Sequence, residues 1–198
     1  SSKFFQQWLV TSPNKPNELI TAPSTSPENE YVTDKGYHGT TCYGGTADLA
    51  IIRELFMNMQ QACKSLGLRP DKEMDDKLNR LHPYTVGSQG DLNEWYYDWK
   101  DYDIHHRHQS HLIGLYPGMH LQALAKQTKD STILAAARQT LIQKGDESTG
   151  WSTGWRINLW ARLGDGNHAY KIYQNLLSYV SPEGYRGKDA VHHGGTYP

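Results

Sequence analysis

The chain has 198 residues, enough to build one sizeable core and one domain. Its 20 Lys and Arg balance 21 Asp and Glu, so the net charge of -1 gives no electrostatic basis for binding nucleic acid or an acidic membrane surface. Hydrophobic residues make up 37% of the sequence, and no apolar run approaches the roughly 20 residues needed to cross a bilayer. The sequence therefore predicts neither a nucleic-acid-binding protein nor a membrane protein.

Helical patterns recur along the chain, and Thr46–Leu66 is the clearest of them. Asp48 lies in its first turn, apolar residues recur at intervals of three and four, and Gly67 follows its end. The same criteria predict further helices over 4–9, 71–81, 107–115, 131–143, 154–163 and 168–180.

Long loops separate these helices. The segment Thr11–Tyr43 is rich in Pro, Ser and Asn, and a loop of that length points to binding or catalysis. Leu19–Ile20 and Tyr84–Val86 form the one suggestion of a short strand pair. We therefore predict an all-α fold whose aromatic-rich loops gather at one end to form a site.

The stretch from Leu92 to Gly118 combines acids, aromatic rings, an arginine and four histidines. A sugar ring offers apolar C–H faces for stacking and hydroxyls that bind carboxylates and guanidinium groups. Glu94 and Trp95 open this stretch, and Arg107 with His108 follow further along. The combination favours a carbohydrate site, although Glu94 equally fits an acid favoured at a helix N-terminus.

Glu28 lies in a proline-framed loop beside Tyr31, away from any predicted helix face. A carboxyl group held rigidly there and partly desolvated would suit a general acid that protonates a glycosidic oxygen. The competing interpretation is a simple turn at Ser26-Pro27 with the acid in water.

The histidine cluster also invites a metal interpretation, because His108 and His111 are one helical turn apart. The sequence offers no HExxH motif or companion cysteine, so we predict no metal and no cofactor. Arg107 and His108 are expected to bind hydroxyls, while Ser110 and His111 make structural contacts near the core.

Among the three tryptophans of the segment 150–166, the sequence favours Trp151 as the stacking platform, whereas Trp155 and Leu159 are expected to face the core.

The roles of His192 and His193, in a glycine-rich loop, stay open. Cys42 and Cys63 lack metal-ligand spacing, and a disulfide between them is left open.

Five ordered motifs resemble the catalytic domain of glycoside hydrolase family 95: PSTSPENEY, LNEWYYDW, HRHQSHLIGLYPG, GWSTGWRINLWARLGDGNHAY and HHGGTYP. This family of inverting 1,2-α-L-fucosidases also contains α-L-galactosidases. The resemblance implies an (α/α)6 barrel without a metal, a fucosylated oligosaccharide as substrate and a secreted or periplasmic location. It makes residues 1–198 a single partial catalytic domain, truncated at both ends, that completes its fold with the rest of that domain.

The resemblance also assigns roles to residues. It makes Glu28 the general acid, with Glu30 as the alternative if the register slips by two. Arg107 and His108 match the pair that binds the sugar in the family, and Glu94 is carried over only as a pocket residue. Trp95 and Trp151 complete the predicted substrate-binding set.

The resemblance further implies a water-activating Asn pair in an Asn-x-Asn motif upstream, polarised by an Asp in an Asp-Gly-Asn motif downstream of Gly-Gly-Thr-Tyr-Pro. We expect this chain to begin after the first motif and to end before the second. The predicted function is therefore inverting hydrolysis of α-L-fucosyl linkages. The alternatives are a non-catalytic carbohydrate-binding or structural fragment and an α-L-galactosidase.

Overall fold

The computed structural model describes residues 2–177, and this part of the chain is rich in helix, as predicted. Its α-helices are α1 (Ser2–Trp8), α2 (Thr46–Ser65), α3 (Lys72–Arg80), α4 (His120–Thr128), α5 (Thr132–Lys144), α6 (Gly150–Arg162) and α7 (Gly166–Leu176). Among these residues, no helix combines the length and apolar character required to span a bilayer. The predicted end of the last helix at Val180 and the loop with His192 and His193 lie outside the described residues.

Within residues 2–177, seven short strands form three small antiparallel sheets, of which the sequence predicted only the strand at Leu19–Ile20. They are β1 (Leu9–Thr11), β2 (Leu19–Thr21), β3 (Ser24–Thr25), β4 (Tyr31–Val32), β5 (His38–Gly39), β6 (Thr41–Cys42) and β7 (Lys100–Asp101), paired in the orders β1-β2, β3-β6 and β5-β4-β7. Strands of two or three residues are too short to show a period of two. The segment 11–43 is therefore a folded loop with its own sheets rather than an irregular one.

The short strand predicted at Leu19–Ile20 is confirmed as part of β2, whereas the one predicted at Tyr84–Val86 is wrong. β2 pairs with β1, with Val10 opposite Ile20. Val86 forms only an isolated bridge with Leu92. The pairing that matters for the site joins β4 to β7, because it lays the loop that carries Glu28 beside the aromatic stretch.

Two hydrophobic clusters form the core. One joins the 3-10 turn at Ser110–Leu112 to α4–α7, and its members include Leu112, Leu141, Leu159 and Ile172. The other packs α2 and α3 on the first sheet around Phe56.

The predicted helix at Arg107–Leu115 is wrong, since only Ser110–Leu112 forms a 3-10 turn. Side chains from α6 hold the backbone carbonyl groups just before this turn: Ser152 donates to the carbonyl of Arg107 and Arg156 to that of His106. These hydrogen bonds stabilise the observed loop, whose carbonyl groups find their donors in α6 rather than along a helix of their own. The helix α4, which begins at His120 shortly after Pro117-Gly118, was missed.

The remaining helix predictions are confirmed with shifted ends. α2 begins at Thr46 as predicted, and α6 begins at Gly150, four residues earlier than predicted. Asp165 caps α7 by accepting a hydrogen bond from the backbone N–H of His168, which explains the start of that helix. Cys42 and Cys63 are free thiols.

Candidate active site

Glu28 lies at the tip of the loop between β3 and β4, on a base that is fixed by buried groups. Ser26 and Asn29 on either side are 0% and 2% exposed, and the backbone N–H of Asn29 donates to the carbonyl of Ser26. The hydroxyl of Ser110 donates to the carbonyl of Pro27 at 2.9 Å. The base of the loop beneath Glu28 is therefore held by hydrogen bonds among buried groups.

The carboxylate of Glu28 itself is more open than expected, with 59% of its side chain exposed. The prediction that it would be partly desolvated is not met among the described residues, because the loop points its tip away from the core. Its contact is the guanidinium group of Arg107, which is also partly exposed. It is thus Glu28, and not the alternative Glu30, that pairs with Arg107.

His106 and His108 complete the cluster around Glu28. One nitrogen of each ring and one carboxylate oxygen of Glu28 all lie within 4.8 Å of one another. The structure thus brings Glu28, Arg107 and His108 together, although they are about 80 residues apart in the chain. Three kinds of hydrogen-bonding group, a carboxylate, a guanidinium and two imidazoles, converge on one patch.

The same cluster could in principle hold a metal ion, because a carboxylate and two imidazoles are zinc ligands. The backbone N–H of His108 donates to Nδ1 of His106 at 3.1 Å, which in a neutral ring leaves the proton on Nε2. Burial and the neighbouring His108 and Arg107 lower the pKa of His106, which favours that neutral ring. Nε2 of His106 is then a donor suited to a hydroxyl oxygen, and Arg107 already occupies the carboxylate.

Trp151 supplies an open aromatic surface next to this cluster. It lies in the first turn of α6, is 52% exposed, and its ring centroid is 4.9 Å from that of His108. Trp155 is partly buried against the core and donates to the carbonyl of Tyr116, as its predicted structural role requires. Trp151 is the ring that can stack on a sugar here.

Glu94 and Trp95, predicted to bind substrate, are both buried side chains. Trp95 is 1% exposed, packs edge-on against Tyr31 and donates to Asp101, so its ring offers no face to a ligand. Glu94 is 4% exposed and accepts a hydrogen bond of 2.7 Å from Ser26. Alternation of polar and aromatic residues in LNEWYYDW gave no sign of which side chains point inward.

Arg156 is the buried organiser of the segment 105–109, and its role was not evident from the sequence. It is 0% exposed, and its guanidinium group donates to Gln109 and to carbonyl groups that include those of His106 and Gly145. Burial lowers its pKa to about 10, so it stays charged at neutral pH. It therefore ties the segment with Arg107 and His108 to the loop between α5 and α6.

A cavity of about 640 Å³ lies against these groups, lined by His105, His106, Arg107 and the loop 145–149. Its volume falls in the range of small-molecule sites. A second cavity, of about 590 Å³, is lined by Glu94, Trp99, Asp101 and His111 among others.

Asp165-Gly166-Asn167 spells the Asp-Gly-Asn motif, which was not expected within this chain. Its acid is a structural group: Asp165 caps α7 and pairs with Arg138 at 2.8 Å. These contacts tie it to α5 and α7 instead of to the loop with Glu28. The Asn-x-Asn motif is absent from the sequence.

Residues 1–198 match the model of the glycosyl hydrolase family 95 catalytic domain. The chain belongs to this family, which confirms the resemblance seen in its motifs.

Three curated relatives carry names in the same class. Alpha-L-fucosidase 2 of Arabidopsis thaliana is 35% identical over 91% of this chain and 21% of its own length. Probable alpha-fucosidase A is 30% identical in Aspergillus oryzae, over 91% of this chain and 25% of that protein, and 32% identical in Aspergillus niger, over 79% and 20%. The chain thus spans between a fifth and a quarter of the length of these relatives.

Proposed function

We propose that this chain supplies the acid half of an inverting α-L-fucosidase, in which Glu28 is the general acid. The observation that carries the proposal is the contact of Glu28 with Arg107, next to His108. Membership of family 95 and the fucosidase names of three relatives support the substrate class.

In an inverting hydrolysis, water attacks the anomeric carbon as the bond to the leaving oxygen breaks on the opposite face. Glu28 would give its proton to that leaving oxygen, and the attacking water would lose a proton to a base. The family resemblance implies that an Asn pair and an Asp activate this water. This half of the chemistry is a proposal for the complete catalytic domain, since the chain lacks an Asn-x-Asn motif.

Substrate binding would change the partners of Arg107. Without sugar, the guanidinium group pairs with Glu28. A sugar hydroxyl that accepts from Arg107 would draw the guanidinium group from Glu28 and leave the carboxyl group facing the leaving oxygen. His108 would bind a second hydroxyl, and the exposed ring of Trp151 would stack on the apolar side of the sugar.

The fold belongs to the same proposal. We infer that helices α2–α7 form part of an (α/α)6 barrel and that residues 1–198 are one partial domain of it. The antiparallel packing expected of such hairpins is supported by the close pairing of α6 with α7.

Glu28→Gln in the full-length parent protein tests the acid assignment. The amide keeps the size and polarity of the side chain but has no proton to give, so turnover of 2′-fucosyllactose should fall by about 10²–10⁴ while the affinity for fucose changes little. Initial rates and calorimetric titration measure the two quantities.

Glu30→Gln is the matched control, because it makes the same change two residues away and should keep most of the activity. Comparable losses in both variants, or normal turnover in Glu28→Gln, would contradict the assignment. The same assay with an α-L-galactoside separates the two substrate classes of the family.

A further inference from the structure

The loop that carries Glu28 is attached to a buried charged cluster made of Glu94, Asp101, His111 and Lys144. The attachment is one hydrogen bond: Ser26 donates to Oε1 of Glu94 at 2.7 Å, and both residues are buried. A carboxylate only accepts, so the direction of this bond is fixed. This hydrogen bond holds the base of the loop at Ser26, two residues before Glu28.

Lys144 gives Glu94 its charge partner. Its ammonium group is 1% exposed, lies 3.8 Å from Oε2 of Glu94 and donates to Asp101 at 3.0 Å. His111 lies 3.3 Å from the same Oε2. Burial and the charge of Lys144 lower the pKa of His111 to about 3, so His111 is neutral and Lys144 alone compensates the acids.

We propose that Glu94 is a positioning residue, which acts through Ser26 to aim the Glu28 carboxyl group at the leaving oxygen. This inference rests on the proposed role of Glu28 as general acid. Glu94 was predicted to bind substrate; it is 4% exposed and borders the cavity of about 590 Å³, and its bond to Ser26 supplies a second way to affect the reaction. A displacement of about 1 Å at a catalytic group can cost roughly 100-fold in rate.

The test uses the full-length protein and two substrates that differ in their need for an acid. The glycosidic oxygen of 2′-fucosyllactose is a poor leaving group that needs a proton as its bond breaks. Fluoride leaves α-L-fucosyl fluoride with little help from an acid. A variant that misplaces Glu28 should therefore lose activity on the first substrate and keep it on the second.

Ser26→Ala removes the link and leaves the charged cluster intact. We expect kcat on 2′-fucosyllactose to fall roughly 10- to 100-fold, with KM and the turnover of fucosyl fluoride changed less than about threefold. Glu94→Gln keeps a side-chain oxygen that can accept from Ser26 but loses the negative charge that strengthens this hydrogen bond. It should therefore also lower kcat on 2′-fucosyllactose and spare fucosyl fluoride, but by a smaller factor than Ser26→Ala. In the Ser26→Ala background, Glu94→Gln should add little.

Ser24→Ala is the matched control. Ser24 is also buried on this loop and donates to a buried carboxylate, that of Asp48 at 2.6 Å, but it has no bond to Glu94. It should lower the melting temperature without distinguishing the two substrates. The inference would be overturned if Ser24→Ala lost activity on 2′-fucosyllactose but not on fucosyl fluoride. Equal losses on both substrates in Ser26→Ala would also overturn it, and so would additive effects of Ser26→Ala and Glu94→Gln.

Glu28→Gln on the same two substrates separates this inference from the function on which it rests. If Glu28→Gln spares fucosyl fluoride and Ser26→Ala does not, Glu28 is the acid and only the role of Glu94 is wrong. If Glu28→Gln loses both substrates equally, the acid assignment fails and the inference fails with it.

Discussion

At the scale of single residues, the site depends on which side chains are exposed and which are buried. Arg107 and Trp151 are open to a ligand, whereas Glu94 and Trp95, from the same aromatic stretch, are enclosed. Residue type alone favoured all four equally. Exposure therefore separates these side chains, although Glu94 still borders the cavity of about 590 Å³.

Arg107→Lys should weaken substrate binding because lysine replaces a planar fork of donors with a single point charge. We expect KM for 2′-fucosyllactose to rise about 10- to 100-fold, which corresponds to the roughly 1.5–3 kcal/mol of hydrogen bonds to a charged group. Steady-state kinetics of the full-length protein measure the change.

Arg80→Lys is the control for that substitution, since Arg80 forms a partly exposed pair with Asp76 on the surface of α3. It should leave KM unchanged. An unchanged KM in Arg107→Lys would show that the guanidinium group of Arg107 does not hold the sugar.

At the scale of elements, α6 organises the site, and of its residues only Trp151 was predicted to belong to it. Ser152 and Arg156 hold the carbonyl groups of Arg107 and His106, and Trp151 lies in the first turn of the same helix. Hydrogen bonds from a distant helix to backbone groups leave no pattern in the sequence near His106. For this reason the sequence predicted a helix over 107–115, where the structure has a loop that is hydrogen-bonded to α6 and a short 3-10 turn.

Arg156→Met should destabilise the protein strongly. The variant keeps the apolar volume but leaves several buried carbonyl groups without a donor, each of which costs roughly 1–3 kcal/mol. We expect a loss of about 3–5 kcal/mol in the free energy of unfolding, read from denaturant titration.

Arg138→Met provides the comparison, because Arg138 is 40% exposed and pairs with Asp165 near the surface. It should cost less than about 1 kcal/mol. A small loss in Arg156→Met would mean that water replaces the lost donors and that Arg156 does not organise the loop.

The sequence was sufficient for the helices with strong local signals. α2 has an acid in its first turn and a glycine beyond its end, and its start was predicted to the residue. α4 was missed because Pro117-Gly118 suggested a loop, and its start at His120 depends on Glu54 of α2, which accepts from Nδ1 of His120. The motifs of the site were found, but burial, which separates Glu94 from Arg107, depends on the tertiary fold.

At the scale of the whole molecule, the fold buries His111 and His120 and disfavours their protonation. The free energy of unfolding therefore depends on pH. Burial lowers the pKa of His111 from 6.5 to about 3, and it also lowers the pKa of His120. The unfolded chain binds a proton on His111 below pH 6.5, whereas the folded protein does so only near pH 3. The contribution of His111 to the free energy of unfolding is therefore complete above pH 6.5 and is lost as the pH falls toward 3.

His111→Gln should flatten this dependence. Between pH 7 and pH 5, His111 alone should cost the wild-type protein roughly 1–2 kcal/mol in the free energy of unfolding. The raised pKa of Asp101, which is caused by burial and by the charge of Glu94, acts in the opposite direction at lower pH. Denaturant titrations of the wild-type protein and of His111→Gln at pH 7 and pH 5 measure the free energy of unfolding. The same change in that free energy between the two pH values in both proteins would contradict the role of His111.

The position of a bound sugar tests the proposed site most directly. A crystal structure of the full-length protein with a non-hydrolysable fucoside should show hydroxyls at about 3 Å from Arg107 and His108, the guanidinium group turned from Glu28, and the Glu28 carboxyl group at the leaving atom. A sugar bound away from Glu28, or a carboxyl group other than that of Glu28 at the leaving atom, would contradict the proposal.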